Sequence, residues 1–67
     1  MILKIGTLPG LIREVALEDS ATIGDALSVA DLSAEGYEIR RNGSPAETGE
    51  IVSDGDTILL VKQVKGN

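Results

Sequence analysis

The sequence predicts an α+β fold in which one helix packs on one face of a mixed sheet of four to five strands. Three observations predict it. A single segment, which starts near Thr22, has apolar residues at helical spacing. Several short segments alternate apolar and polar residues or are apolar throughout, and turn residues separate them. The chain has 67 residues, so we expect one domain that spans residues 1–67.

The first two predicted strands form a hairpin. Residues 1–5 are rich in large aliphatic residues, and we expect this strand to stop at Gly6. Pro9-Gly10 is typical of a type II turn, because Pro sets φ at the first central position and Gly accepts a positive φ at the second. The chain then returns as a strand over residues 11–17, where Arg13 indicates a strand end near solvent.

The predicted helix begins at Thr22 and runs for about ten residues, ending between Ser33 and Gly36. Thr22 and Asp25 have the spacing of a reciprocal capping arrangement, in which each side chain accepts a hydrogen bond from the other residue's backbone. One stripe of the helix is apolar and is expected to face the core: Ile23, Ala26, Leu27 and Ala30.

The second half of the chain predicts three more strands. Residues 37–41 alternate and lead into Asn42-Gly43, a tight-turn signal because both residues tolerate positive φ. Residues 44–49 are interpreted as a loop, and residues 50–52 as a brief edge strand.

The last predicted strand, residues 57–64, follows a turn at residues 53–56. It is apolar on both parities, as expected for a strand in the middle of a sheet, beside the first strand.

Composition excludes most catalytic chemistry. The chain has no Cys and no His, and Tyr37 is its only aromatic residue. The pair Asp54 and Asp56 is followed by no further calcium ligands at the required spacing, and Glu50 stands where a phosphate-binding loop needs Lys. We therefore expect neither an enzyme nor a bound metal or cofactor.

Charge and hydropathy narrow the partners further. Six Lys and Arg residues against eleven Asp and Glu residues give a net charge of −5, which repels nucleic-acid backbones and anionic lipids. No apolar run is long enough for a membrane span or a signal peptide, so we expect a cytoplasmic protein that binds neither nucleic acid nor membrane.

Three segments resemble the β-grasp proteins of the ubiquitin-like superfamily, most closely the small sulfur carriers of thiamine and molybdopterin biosynthesis. Residues 13–17 followed by residues 22–27 look like the second strand and capped helix of those carriers. Arg41-Asn42-Gly43 looks like the turn after their third strand, and residues 51–61 are similar to their Gly-Asp turn and final aliphatic strand. The resemblance implies a β-grasp fold over nearly the whole chain.

The resemblance also implies chemistry at the carboxyl terminus. Sulfur carriers and ubiquitin-like modifiers end in Gly-Gly, and an activating enzyme adenylates the terminal carboxylate before it is thiolated or conjugated. The sequence ends Val64-Lys65-Gly66-Asn67 instead, so the candidate carrier tail is Lys65, Gly66 and Asn67. This departure favours a function that uses the surface of the fold.

Two groups of residues are candidates for binding a protein partner. With one helix available, one sheet face stays uncovered, and Ile2, Leu8 and Ile12 are expected to form an apolar patch on it. The second group is basic and consists of Arg40, Arg41 and Lys62, with Lys65. It is either a basic spot that binds an acidic partner or a solvated strand face whose charge Glu38 balances. Tyr37 is either a partner anchor or a ring that seals the end of the helix.

The main hypothesis is a non-catalytic protein-binding module, a regulator, inhibitor or assembly factor that acts through its sheet face or an edge strand. The alternative is a sulfur carrier or ubiquitin-like modifier whose partner is an activating enzyme. An exposed edge strand leaves open whether the protein is a monomer or a weak homodimer.

Overall fold

The computed structural model describes residues 1–63, which form five strands and one helix. The elements are β1 Ile2–Leu8, β2 Ile12–Ala16, α1 Ile23–Val29, β3 Tyr37–Arg41, β4 Ser44–Pro45 and β5 Thr57–Lys62. The candidate tail residues Lys65, Gly66 and Asn67 lie outside the described residues, as does Val64, the predicted end of the last strand.

The five strands form one mixed sheet in the order β2-β1-β5-β3-β4. β5 lies at its centre beside β1, as its apolar residues on both parities predict. It is parallel to β1 and antiparallel to β3. The first hairpin pairs β1 with β2 in antiparallel register. The predicted α+β fold, with a mixed sheet and one helix on one face, is confirmed.

The core lies between α1 and the sheet. Alternate residues of the two central strands point to the helix, and the predicted apolar stripe of α1 packs against them. The fully buried large side chains are Leu3, Ile5, Ile23, Ile58 and Leu60. The other members of the helix stripe, Ala26, Leu27 and Ala30, are at most 5% exposed.

The start of α1 agrees with the prediction. The Thr22 hydroxyl accepts the N–H of Asp25 at 3.2 Å, and the Asp25 carboxylate accepts the N–H of Thr22 at 2.9 Å. The next two free donors of the first turn, the N–H groups of Ile23 and Gly24, bond at 2.9 Å to backbone carbonyls of the segment before β5. The amino end of the helix is therefore satisfied within the fold.

The predicted end of the helix is wrong, because α1 stops at Val29 with Ala30 as its C-cap. Asp31 has a φ of 58°, and its N–H bonds to the Ser28 carbonyl at 3.1 Å. The N–H of Leu32 bonds to the Leu27 carbonyl at 2.9 Å. These two bonds form a Schellman motif, which closes a helix through a left-handed residue.

The first hairpin also differs from the prediction. β1 continues through Gly6 to Leu8. The turn is not type II, because the Leu8–Pro9 bond is cis and Gly10 has a φ of 153°. Gly6 lies within the strand at a point where the returning chain passes close to it: a Cβ there would lie 2.2 Å from the Leu11 carbonyl oxygen.

The predicted brief strand at residues 50–52 is also wrong. There Ile51 forms only an isolated bridge with Thr22. The brief strand is β4, in residues interpreted as loop, where Ser44 and Pro45 pair with β3. The two-residue turn at Asn42-Gly43, both with positive φ, returns the chain directly beside β3, and Pro45 is tolerated because β4 is an edge.

Candidate protein-binding surface

The sheet face opposite α1, called the open face below, carries no helix in the described part of the chain. Strand alternation decides which side chains it presents, and the pairing register places them side by side. They come from four strands: Ile2, Lys4 and Leu8 of β1, Ile12, Glu14 and Ala16 of β2, Glu38 and Arg40 of β3, and Thr57, Leu59 and Val61 of β5.

Four of these side chains form an apolar patch, which consists of Leu8, Ile12, Leu59 and Val61. Gly6 pairs with Ile12 on one side and with Leu59 on the other, and Leu8 pairs with Val61. Leu8 is 41% exposed and Ile12 is 49% exposed, while Leu59 and Val61 are half-buried. The patch therefore joins two sequence-predicted residues to two residues of the central strand.

Gly6 brings the two halves of the apolar patch together. A Cβ at this position would lie 2.7 Å from the Ile12 Cα and 3.0 Å from the Ile12 Cγ1. Because Gly6 has no side chain, Ile12 can lie close to the middle of β1. A larger residue at position 6 would push β2 away from the sheet.

Charged pairs border the apolar patch on two sides. On one side Lys4 and Glu14 are direct cross-strand neighbours, and they separate the patch from Ile2, which is 49% exposed. On the β3 side Arg40 Nε donates to Glu38 Oε2 at 2.6 Å. This pair is more than a third exposed, so it adds little stability and remains available to a partner.

The structure does not bring Arg40, Arg41 and Lys62 together. Arg40 lies on the open face, whereas Arg41 and Lys62 have the opposite parity and lie on the helix side of the sheet. Lys62 is exposed there opposite Tyr37, and the Tyr37 ring is half-buried against the core. Of the candidate residues, the open face therefore holds Ile2, Leu8, Ile12 and Arg40.

Arg41 belongs to a structural network around Asp56. The Asp56 carboxylate is buried and accepts hydrogen bonds from Arg41 Nε, Asn42 Nδ2 and the Ser53 N–H at 2.8–2.9 Å. Burial opposes ionisation, but the Asn42, Ser53 and Arg41 hydrogen bonds, together with the Arg41 charge, outweigh it and lower the pKa of Asp56 below its usual value. The network ties the end of β3 to the turn before β5.

Leu59 and Val61 are members of the apolar patch that the sequence interpretation did not name. The signal was present, because β5 is apolar on both parities. This pattern predicts a strand in the middle of the sheet. It also means that every second apolar side chain of β5 lies on the face that no helix covers.

The remaining features of residues 1–63 add no second chemistry. These residues hold no group of three or more acidic side chains placed to bind one metal ion. Within the same range, α1 is too short and polar to cross a membrane.

Comparison with solved structures finds the same architecture over the whole chain. SAMP1 from Haloferax volcanii has a TM-score of 0.81 at 21% sequence identity, with 100% of both chains covered. A crystal structure of H. volcanii small archaeal modifier protein 1 gives 0.79 at 21% identity and covers 94% of this chain and 98% of that chain. A Caldiarchaeum subterraneum ubiquitin gives 0.67 at 22% identity and covers 100% of this chain and 98% of that chain.

No family model matches the sequence, and no curated protein matches it. The likeness is therefore one of architecture, and it agrees with the strand order and the single helix described above. From the sheet topology and these neighbours together, the chain has the β-grasp fold of ubiquitin-like proteins.

Proposed function

We propose that this protein is a ubiquitin-like modifier or sulfur carrier that a partner protein recognises through the open face. One observation carries the proposal. Over the full length of both chains, the fold matches a protein whose name is small archaeal modifier protein, with a TM-score of 0.81. A further neighbour of the same fold is named ubiquitin.

The chemistry in this proposal takes place at the carboxyl terminus of the protein. A terminal carboxylate attacks ATP and displaces pyrophosphate, which gives an acyl adenylate. Hydrosulfide or a lysine amine then displaces AMP, which leaves a thiocarboxylate or an isopeptide bond respectively. The chain has no Cys and no His, and catalysis of these steps is assigned to an activating enzyme.

The open face provides the contact with that enzyme. β5 contributes Leu59 and Val61 to the apolar patch and leads towards the carboxyl end of the chain. A partner that covers the patch is thereby held next to the strand that precedes the reactive end. Complete burial of a fully exposed aliphatic side chain contributes about 1.5–3 kcal/mol. Leu8 is 41% exposed, so it contributes a part of this, and several such contacts together support a transient complex.

The apolar patch also favours a second candidate, a protein-binding module without carboxyl chemistry. Such a module would act as a regulator, inhibitor or assembly factor through the same open face. Both candidates need a protein partner. They differ in whether the carboxyl terminus is chemically changed.

The test is to purify the protein from its source cell with an antibody and to measure intact masses. The proposal expects a fraction in which sulfur replaces one carboxyl oxygen, or species linked to lysines of other proteins that persist in denaturant and reducing agent. Unmodified protein that releases all its partners in denaturant would contradict the modifier proposal and leave the second candidate.

A further inference from the structure

Asn42 and Gly43 form the turn between β3 and β4, and they are the one Asn-Gly pair in the sequence. Because glycine has no Cβ, little shields its backbone nitrogen from the side chain of the asparagine before it. Both residues are exposed, and nothing lies within 4 Å of a Cβ at Gly43, so water has access to the turn. The turn therefore holds an amide that can react with its own backbone and with water.

This reaction replaces the side-chain amide of Asn42 with a carboxylate. The Gly43 nitrogen loses its proton and forms a bond to Asn42 Cγ, and the Cγ–Nδ2 bond breaks as ammonia leaves. Water then opens the resulting succinimide ring at either of its carbonyls. One opening gives aspartate, and the other gives isoaspartate, in which the main chain runs through the former side chain. The overall reaction consumes water and releases ammonia.

The fold holds the Asn42 amide away from the Gly43 nitrogen. Asn42 Nδ2 donates to Asp56 Oδ1 at 2.9 Å, and Asn42 Oδ1 accepts the N–H of Thr57 at 2.9 Å. The backbone N–H of Asn42 also donates to the Thr57 carbonyl, at 2.8 Å. Both side-chain hydrogen bonds must break before Asn42 Cγ can turn towards Gly43. Hydrolysis therefore requires a local opening, and the stability of the fold sets how often that happens.

The aspartate product is incompatible with the network around Asp56. Asn42 Nδ2 is a donor, whereas the oxygen that replaces it carries no hydrogen when the carboxyl group is ionised. That oxygen would face Asp56 Oδ1 across the present 2.9 Å hydrogen bond. Arg41 already lies beside two carboxylates, Asp56 at 2.9 Å and Glu50 at 3.5 Å. A third carboxylate in this group therefore adds like-charge repulsion.

The isoaspartate product changes the backbone of the turn. It adds one carbon to the main chain between two residues whose φ values are 51° at Asn42 and 88° at Gly43. A turn of this length fixes the register of the strands that it joins. In this turn Arg41 pairs with Ser44 on one side and with Ile58 on the other. The added carbon would displace at least one of these pairs.

From these observations we propose that Asn42 is a site of spontaneous amide hydrolysis, which the native fold suppresses and whose products cannot rebuild the native network. A molecule that opens at this turn and reacts is thereby marked by a covalent change, and the opening becomes permanent. Water is the co-reactant. The inference depends neither on the chemistry of the carboxyl terminus nor on the open face.

The first experiment compares hydrolysis in the folded and the unfolded protein. The full chain is incubated at mildly alkaline pH, in buffer or in guanidinium chloride, and is then digested with trypsin. The peptide of residues 42–62 contains Asn42 as its only side-chain amide, so a change from amide to carboxyl mass in this peptide reports Asn42 alone. We expect hydrolysis at least about tenfold faster in guanidinium chloride.

A variant identifies the attacking group. In guanidinium chloride, Gly43→Ala should hydrolyse several-fold more slowly than the unaltered chain, because a Cβ shields the backbone nitrogen. Gly55→Ala is the matched control, since this glycine lies in the other turn and does not follow Asn42. It should leave the rate unchanged.

The second experiment measures what the product does to the fold. Asn42→Asp is the aspartate product made directly, and Asn42→Ala is its control, because it also lacks the donor but adds no charge. Asp tolerates the positive φ at this position better than Ala, so the backbone alone would make Asn42→Asp the more stable variant. We expect the reverse at neutral pH, with Asn42→Asp unfolding at the lower urea concentration.

Exchanging the two side chains should restore part of the network. In the double variant Asn42→Asp, Asp56→Asn, the amide at position 56 donates to the carboxylate at position 42. Its own oxygen accepts from Arg41 Nε and the Ser53 N–H, which both bond to the same oxygen, Asp56 Oδ2, in the native protein. We expect the double variant to unfold at a higher urea concentration than Asn42→Asp alone.

Several results would overturn the proposal. They are equal hydrolysis in buffer and in guanidinium chloride, an unchanged peptide 42–62 in guanidinium chloride, or equal rates for Gly43→Ala and the unaltered chain. Asn42→Asp at least as stable as Asn42→Ala, or no recovery in the double variant, would overturn it as well. None of these outcomes bears on the modifier proposal, which the mass measurement on protein from the source cell tests.

Discussion

At the scale of single residues, Asp56 is the one buried polar side chain among residues 1–63. It is 7% exposed, and its carboxylate accepts three hydrogen bonds, one of which comes from a guanidinium group. A buried carboxylate is tolerated only when its oxygens are satisfied in this way. From sequence alone Asp56 is a residue of the turn at residues 53–56, because Arg41 and Asn42 lie far from it in the chain.

The network predicts an acid-sensitive contribution to stability. Because the pKa of Asp56 is lower in the folded protein, its ionised form stabilises the fold at any pH above the ordinary carboxyl value near 4. That contribution is lost as the pH falls through the lower, folded value. Asp56→Asn should reduce the free energy of unfolding at neutral pH by about 1–3 kcal/mol and flatten the acid limb. Urea unfolding from neutral pH down to about pH 2 measures the loss of stability at neutral pH and the weaker dependence of stability on pH in acid.

The exposed Asp54→Asn variant is a matched control with a smaller expected effect, since Asp54 makes one hydrogen bond, to the Ile2 N–H. If the two variants were equal at neutral pH, the assignment of Asp56 as the main carboxylate would be wrong.

Gly6 gives a second prediction at the residue scale. A Cβ at this position would lie 2.2 Å from the Leu11 carbonyl oxygen, and backbone atoms cannot yield cheaply. Gly6→Ala should therefore lower the free energy of unfolding by about 2–4 kcal/mol. Gly49→Ala should stay within about 0.5 kcal/mol, because nothing lies within 4 Å of a Cβ there. Thermal unfolding measures the stability of both variants. Similar losses of stability for Gly6→Ala and Gly49→Ala would contradict the close approach of Leu11 to Gly6.

At the scale of elements, the two ends of α1 differ in how far the sequence predicts them. The start is read from Thr22 and Asp25, whose types and spacing are specific to a helix amino end. The end is closed by Asp31 with a φ of 58°, a conformation that sequence interpretation associates with glycine. The predicted helix therefore ends too late, between Ser33 and Gly36, where the next glycine in the chain lies.

The left-handed residue at the end of α1 predicts a stabilising substitution. Asp31→Gly should raise the free energy of unfolding by about 0.5–1 kcal/mol, because glycine adopts this φ without strain and a carboxylate is removed from the negative end of the helix. Asp31→Ala removes the same charge but keeps a Cβ, so it should be less stable than Asp31→Gly. Equal stability of the two variants, measured by urea unfolding, would contradict the backbone argument.

Arg13 supplies the positive charge that α1 lacks in its own last turn. Its guanidinium donates to the Ala30 carbonyl at the C-cap, although Arg13 belongs to β2. Arg13→Ala should cost about 0.5–1.5 kcal/mol. Arg13→Gln keeps a donor without the charge and should recover part of that loss. Measuring the stability of both proteins at increasing salt concentration shows how much of the Arg13→Ala loss is electrostatic. A loss that does not change with salt would exclude an electrostatic contribution of Arg13.

At the scale of the whole molecule, the apolar pattern of the sequence predicts the centre of the sheet but not its edge strand β4. β5 is apolar on both parities, and this places it in the centre next to β1. β4 was missed because two residues that include Pro45 have no strand signal of their own. They pair only because the turn at Asn42-Gly43 returns them to β3.

The candidate site was only partly predictable for the same reason. The sequence predicts Ile2, Leu8 and Ile12 on the uncovered face, and the structure places them there. Three features depend on the register between strands. They are the separation of Ile2 from the apolar patch, the inclusion of Leu59 and Val61 in it, and the placement of Arg40 and Arg41 on opposite faces. Register is a property of paired strands and cannot be read from one strand alone.

The central claim is that the open face delivers a ubiquitin-like modifier to its activating partner. The most direct test compares Leu8→Glu with Ile51→Glu, two exposed aliphatic positions of which only Leu8 lies on the open face. After checking that both variants fold, one measures thiocarboxylate and isopeptide-linked species in the source cell by mass spectrometry. The account predicts a loss of about tenfold or more for Leu8→Glu and no change for Ile51→Glu. Unchanged modification of the Leu8→Glu protein, or no modified species from the unaltered protein, would contradict it.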